Sequence, residues 1–266
     1  MKSYTWNALD YAKSSSAQQL WARELIAKLN LQGNERVLDL GCGDGKVTAE
    51  IANLLPTGSV VGIDSSEAML ELAKAQYPTN IFPNLQFLHA DARQLPFTQE
   101  FTVIFSNATL HWIKDHVPVL QGISNSLQSG GKVLLQMGGR GNAVEIIRVI
   151  EELINSSRWC GYFADFQFPY GFYSPQEYQY WLENVGLEPI RLELIPKDMT
   201  HQGVAELAGW IRTTWLPYTQ RLPEQMGEDF VTELVQCYLE YHPLTEDGLT
   251  HVQMVRLEVE AVRKKC

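Results

Sequence analysis

Three glycines and three carboxylates in the first half of the chain carry the residues best suited to chemistry. VLDLGCGDGKVT, residues 37–48, sets Gly41, Gly43 and Gly45 two apart, just behind Asp39. Glycines at a strand end let a ligand approach the backbone, and a helix starting there offers unsatisfied N–H groups. The spacing is GxGxG, which differs from the GxGxxG that seats a dinucleotide pyrophosphate. The Asp39 carboxylate would repel a pyrophosphate, yet it could pair with the amino group of an amino-acid moiety. Asp64 follows nineteen residues after Gly45, about where a side chain accepts both hydroxyls of a ribose. An acceptor-only carboxylate suits an unphosphorylated sugar. In HADARQLPF, Asp91 can accept from an adenine amino group while Ala92 leaves room for the ring. Each carboxylate alone could be a turn or cap residue; at three successive strand ends the shared role is the better reading.

Short β-rich apolar runs must present these residues. Residues 36–40, 59–64, 85–90, 101–107 and 132–137 are such runs, each bounded by Gly, Pro, Asn or Asp. Helical stretches at 46–55, 66–76 and 115–127 fill the gaps, the second with Ser66 as N-cap and Met69, Leu72 and Ala73 on one face. This alternation predicts a parallel sheet flanked by helices. Ahead of it, residues 16–29 carry the stripe Leu20, Trp21, Leu25, Ile26 and Leu29 of an amphipathic helix. After it, 143–154 reads as helix. In residues 159–173, eight of fifteen positions are aromatic, as a pocket wall or as satellite core. A helix at 175–184 with Pro at its first turn precedes a strand at 187–195, and a last strand spans 254–262. The intervening 200–248 reads as two or three helices, a cap closing on the sheet.

The 266 residues hold 21 Lys and Arg against 31 Asp and Glu, a net charge of −10. Such a chain, without a basic run, has little to offer a polyphosphate backbone, so nucleic acid is not expected as a partner. No apolar stretch is long enough for a membrane helix, and the N-terminus lacks a signal-peptide run, so no membrane partner and a cytoplasmic protein are predicted. Cys42, Cys160, Cys237 and Cys266 form no CxxC pair and read as reduced thiols. The histidines show no HxxxH spacing, so no metal is predicted.

VLDLGCGDG, VVGIDSS, HADARQLPF and FSNATLHW resemble the successive motifs of class I S-adenosylmethionine-dependent methyltransferases. Trp6, Asn7, Tyr11, SNATLHW, Gln136, Met137 and GWIRTTWLPY extend the likeness to the trans-aconitate methyltransferase group. The resemblance implies an α/β fold: a Rossmann-like, doubly wound, mostly parallel seven-stranded sheet with a helical cap between its last two strands. The expected organisation is an N-terminal helical segment at 1–34 over the cofactor, a core at 35–199 and 249–266, and a cap at 200–248.

The resemblance further implies S-adenosylmethionine as cofactor and S-adenosylhomocysteine as product. Asp39, Gly41 and Gly43 would line the methionine part, Asp64 and Ser65 hold the ribose, and Met69 lie against adenine. Asp91 and Ala92 would recognise the adenine edge, Asn107 would present its backbone beneath the sulfonium, and Tyr11 would cover it. An ionised carboxylate acceptor needs only alignment and a neutralising donor, for which Arg140 and Arg212 are the candidates. A phenol, amine or acidic carbon must lose a proton, and His111 could be the base. Phe163, Phe168, Tyr173, Trp210, Trp215, Leu216 and Tyr218 are candidate walls for a planar or hydrophobic small molecule. Two alternatives stay open at this point: a nicotinamide-dependent oxidoreductase, and a non-catalytic scaffold that retains the fold.

Overall fold

The computed structural model describes residues 16–265. Helix α1 (Ser16–Leu29) leads into β1 (Arg36–Leu40), α2 (Lys46–Asn53), β2 (Ser59–Asp64), α3 (Glu67–Gln76), β3 (Leu85–His89) and β4 (Phe101–Asn107). A 3-10 turn (Leu110–Trp112) precedes α4 (Val117–Ser126), β5 (Leu127–Gly138), α5 (Val144–Ile154), α6 (Cys160–Phe163) and α7 (Pro175–Asn184). The chain then forms β6 (Leu187–Gln202), α8 (Gly203–Thr214), α9 (Leu216–Thr219), α10 (Glu224–Tyr241) and β7 (Leu249–Arg263). The seven strands make one sheet in the order β3-β2-β1-β4-β5-β7-β6. Pairs among β1 to β5 are parallel, and β7 runs antiparallel to β5.

Local chemistry sets the element ends. Ser66 caps α3, its Oγ accepting from the Met69 N–H at 3.4 Å, and Ser174 with Glu177 forms a capping box on α7 behind Pro175. Gly45, at φ +81°, opens α2 with no side chain of its own to cap it, and the first N–H of that helix, that of Lys46, donates to Asp44 Oδ1 at 3.3 Å.

The last two strands are longer than the expected 187–195 and 254–262. Their added segments, through Gln202 and from Leu249, are polar, and alternation there is masked by charged side chains that pair across the strands. Asp198 accepts from Gln253 Nε2 at 3.1 Å and meets His251 Nδ1 at 2.6 Å.

The chain divides into two compact units. One is built from Gln18–Arg140, Tyr170–Ile195 and the residues from Arg256 onward. Its sheet buries a face on each side. Leu38, Leu40, Ile63, Ile104 and Leu135 pack with Leu120 and Ile123 of α4 and Tyr178 and Leu182 of α7. Val37, Val60, Val103 and Leu134 pack with Leu25 and Leu29 of α1, Ile51 of α2 and Leu70 of α3. Each fully buried leucine or isoleucine contributes about 2 kcal/mol, so helices on both faces hold the strand ends rigid.

The other unit contains Gly141–Pro169 and Pro196–Val255. It is larger than the 200–248 segment because α5 packs on α10, the apolar stripe Ile146, Val149, Ile150 and Leu153 of α5 being buried.

Candidate active site

The C-terminal edge of the parallel strands gathers the glycines and carboxylates singled out by spacing. Gly41, Gly43 and Gly45 all lie at positive φ, a region that only glycine enters without cost. The Gly41 and Cys42 N–H groups donate to the Ile63 carbonyl at 2.8 and 2.9 Å, tying the loop to β2. At Gly41 a Cβ would fall 2.1 Å from Thr109 Cγ2, and at Gly45 2.6 Å from Phe87 Cζ. Among the described residues, a Cβ at Gly43 would meet nothing within 4 Å.

Asp64, at the end of β2, bridges two elements: Oδ2 accepts from the Gly43 N–H at 2.9 Å and Oδ1 from the Ser66 N–H at 2.8 Å. Burial pushes its carboxyl up, while those N–H groups pull the other way. The ionised carboxylate is acceptor-only, with roughly four lone-pair sites, and the backbone N–H groups of Gly43 and Ser66 take two of them. Asp39 sits behind the loop at 2% exposure, accepting from Thr48 Oγ1 at 2.7 Å. Burial, reinforced by the charge of Asp64, raises its carboxyl to about 7.

Ser65 is exposed and Met69 buried beside its N-cap. Asp91 is engaged by its neighbour, Arg93 Nε donating to Oδ1 at 2.9 Å and to Oδ2 at 3.0 Å. That pairing holds the Asp91 carboxyl below its usual range, and Ala92 beside it is half-buried. At the end of β4 the Asn107 carbonyl accepts from Thr109 Oγ1 at 3.1 Å, the same hydroxyl that reaches the Gly41 carbonyl at 3.1 Å. Ala108 takes the unusual φ of +55° and donates its N–H to the Gln136 carbonyl at 2.8 Å. Tyr11 lies outside the described residues.

His111, in the turn after β4, is ringed by Trp112, Phe172 and Tyr170 at centroid distances of 5.8, 6.1 and 6.3 Å. Burial first, then the charge of Arg256, pushes its pKa well below the usual value, so the ring is neutral at pH 7. Its Nδ1 accepts the Gly138 N–H at 3.4 Å, which puts the single proton on Nε2. A buried histidine, His116, secures this turn. Its Nε2 donates to the Leu110 and Ile113 carbonyls at 2.8 and 2.9 Å, and its Nδ1 meets the Tyr178 hydroxyl at 2.5 Å.

Of the acceptor-side candidates, Arg140 is paired with Glu177 at 2.9 Å on an exposed face. Tyr173 packs edge-on against Trp181 and His116, and its hydroxyl donates to the Lys114 carbonyl. Phe163, Trp210, Trp215 and Tyr218 come together within the other unit. They are buried, in a chain of ring contacts from Trp210 through Trp215 at 6.0 Å and Tyr218 at 5.9 Å to Phe163 at 6.2 Å. Leu216 is buried in the same unit and Phe168 is exposed. Arg212 meets Glu228 at 2.6 Å.

One residue that spacing did not single out is Arg256 of β7, only 3% exposed. It stands opposite Gly138 in the β5–β7 ladder, with its guanidinium 5.5 Å from the Trp21 ring. The sequence signal for it is Arg256, Glu258 and Glu260 on one face of an otherwise apolar strand, where alternation alone reads as a solvated side.

In this sheet β7 lies antiparallel beside β5, and a glycine turn after β1 and acids at the ends of β2 and β3 line one edge of the strands. The model of the methyltransferase domain family matches residues 31–186, and the chain belongs to that family: it is an S-adenosylmethionine-dependent methyltransferase. Within it, the chain is 31% identical to a trans-aconitate 2-methyltransferase of Streptomyces avermitilis, over 92% of each chain. It is 30% identical to the trans-aconitate 2-methyltransferase of Escherichia coli, over 97% of this chain and 98% of that one. Among solved structures it is similar to an N-methyltransferase of Haemonchus contortus in complex with phosphomonomethylethanolamine and S-adenosylhomocysteine. That similarity has a TM-score of 0.61 at 19% identity, covering 97% of this chain and 57% of the other. Family membership sets the nicotinamide reading aside.

Proposed function

We propose that the chain methylates an oxygen of a small-molecule acid or hydroxyl compound, with S-adenosylmethionine held along the edge from Asp91 to Asn107. The observation that carries the reading is Asp64 joined to Gly43, where among the described residues a Cβ would meet nothing within 4 Å. A carboxylate acceptor and a glycine cradle that a Cβ would fill, beside a helix N-terminus, are the partners a ribose and an amino-acid tail require.

In this reading the Asp39 carboxylate, with Gly41 and Gly43, receives the methionine end, and its ammonium compensates a carboxylate buried away from water. Asp64 and Ser65 hold the ribose, Met69 lies against adenine, and Asp91 with Ala92 meets the adenine edge. The Asn107 backbone, fixed by Thr109, lies beneath the reacting centre. S-adenosylmethionine supplies a methyl carbon already activated on a sulfonium, so the chain's task is alignment and exclusion of water. The two trans-aconitate relatives act on an acid by name, which supports an acid acceptor here, in the cytoplasm. Tyr173 and Arg140, in the same unit as Asp64, are assigned to the acceptor side.

Calorimetric titration with S-adenosylhomocysteine, beside NADH, tests the reading. Micromolar binding of the first alone is expected; no binding of S-adenosylhomocysteine sinks it.

A further inference from the structure

We infer that the outer edge of β6 is where two copies of this chain meet, pairing antiparallel through residues 190–194 about a two-fold axis at Leu192. The inference does not depend on the proposed function.

The topology leaves this edge open. Among the described residues β6 is the last strand of the sheet, with β7 on one side and no strand on the other. A strand edge presents a row of unpaired N–H and C=O groups, which single sheets shield with a short strand, lysines or a covering element. β6 is 16 residues long, and it holds Ile190 at 59% and Leu194 at 36% exposure. Pro189 and Pro196 bracket these residues. Each lacks an N–H, so a continuous ladder to another strand is confined to the stretch between them.

Alternation gives that stretch two different faces. Ile190, Leu192 and Leu194 share one. Leu192 packs there against the cluster of Tyr178 and Leu182, and Leu194 lies close over Gly139. Arg191 and Glu193 share the other face, 3.1 Å apart, and Arg191 also meets Glu258 at 2.8 Å. The Glu193 side chain is 55% exposed.

The register follows from complementarity of the segment with itself. With Leu192 opposite Leu192 of the second copy, Ile190 faces Leu194 twice and Arg191 faces Glu193 twice, as a two-fold axis requires. One face of the joined strands is then an unbroken apolar row, and the other is a square of alternating charges. An axis at Arg191 or at Glu193 sets that residue against its own copy, and like charges directly opposite are destabilising. An axis between two residues sets Ile190 or Leu194 beside a charged side chain, because a one-residue slip turns every side chain to the other face. Leu192 is therefore the axis that satisfies both faces, and the contact joins two seven-stranded sheets into one.

The test uses the full chain. Sedimentation velocity from micromolar to several hundred micromolar protein should show a reversible monomer–dimer equilibrium. Ile190→Lys sets a lysine against Leu194 twice, and Glu193→Lys sets a lysine against Arg191 twice. Each should weaken the dimer by about tenfold or more, while far-UV circular dichroism stays that of the wild type. A cysteine scan reads the register. In a chain carrying Cys160→Ser, Cys237→Ser and Cys266→Ser, with Cys42 buried, Leu192→Cys should cross-link to its own copy under copper–phenanthroline oxidation. Opposed Cα atoms in such a ladder lie about 4.5–5.5 Å apart, within the reach of a disulfide. Ile190→Cys and Glu193→Cys, each displaced from its own copy along the strands, should cross-link far less.

A chain that stays monomeric throughout overturns the proposal, as does a dimer unaffected by both lysine variants. Equal cross-linking at 190, 192 and 193 overturns it too. Should Leu192→Cys not fold, the lysine variants at the exposed positions 190 and 193 decide the matter.

Discussion

The backbone N–H of Gly43 donates to Asp64 Oδ2 at 2.9 Å, so the glycine loop after β1 and the acid after β2 are one device. Asp64 shapes the loop, and in the proposed function its remaining lone pairs meet the ribose. Asp64→Ala should therefore weaken S-adenosylhomocysteine binding by about tenfold to a hundredfold, as expected for losing hydrogen bonds to a charged group worth ~1.5–3 kcal/mol. Asp64→Asn should fall between that variant and wild type. Calorimetry on the three proteins gives the order, and equal affinities would remove Asp64 from the site.

The loop glycines separate stability from binding. Gly41→Ala meets both a left-handed φ of +74° and the Thr109 methyl at 2.1 Å, so strain and overpacking together should cost about 3 kcal/mol. Gly43→Ala meets a φ of +54° but, among the described residues, no neighbouring atom within 4 Å, so its cost to folding should be about 1 kcal/mol. Its new methyl would instead stand in the ligand's space. Chemical denaturation should rank Gly41→Ala as the less stable, and calorimetry should show Gly43→Ala folded with S-adenosylhomocysteine binding largely lost.

If the proposed placement of the cofactor's amino-acid end at Asp39 holds, its binding depends on pH. With its carboxyl raised to about 7 by burial, Asp39 is protonated and neutral below that pH and charged above it. Attraction for the ligand's ammonium should increase as pH rises from about 6 to 8, and near pH 7 binding should release protons. Calorimetry in buffers of different ionisation enthalpy counts them, and Asp39→Asn should flatten the dependence. The folding contribution has the opposite sign. A raised carboxyl favours the folded state most below its unfolded value of 3.8 and loses that advantage as pH climbs through about 7. The unliganded protein should thus lose stability over the interval in which affinity grows.

The glycine loop and the acids at the strand ends are legible in the sequence because they act through the backbone and short side chains near in sequence. Gly41, Gly43 and Asp64 need only β1 and β2 to be neighbours. The acceptor side is different. Arg140 stands in a glycine-rich loop and Arg212 among aromatics, settings that suggest a site, but each meets a carboxylate 37 or 16 residues away that no local pattern reveals. Arg256 and Glu258 lie on the strand face that alternation assigns to solvent, and only the placement of α1 over β7 buries them. The added lengths of β6 and β7 were hidden for a related reason, since their polar residues find partners across strands.

Glu258 offers the sharpest test of that covered face. Its side chain is 1% exposed and meets Lys28 of α1 at 2.6 Å and Arg191 of β6 at 2.8 Å, with Gln136 Nε2 of β5 donating at 3.0 Å. Burial opposes its ionisation, but the hydrogen bonds from Lys28, Arg191 and Gln136 outweigh it and hold the carboxyl below the usual range. Glu258→Ala leaves these three groups facing a buried gap and should cost about 3 kcal/mol, the lower end for breaking a buried pair. The lower end is chosen because the Lys28 side chain is 40% exposed and recovers part of its hydration. The sign with pH follows from the depressed carboxyl: its stabilisation is present above the unfolded value of 4.5 and disappears as pH falls through the lower folded one. Wild type should therefore lose more stability than Glu258→Gln on acidification in that window. Thermal melts of both proteins, taken from pH 7 down through the carboxylate range, should converge; parallel curves would mean that Glu258 is neutral in the folded protein and that the network is held by packing alone.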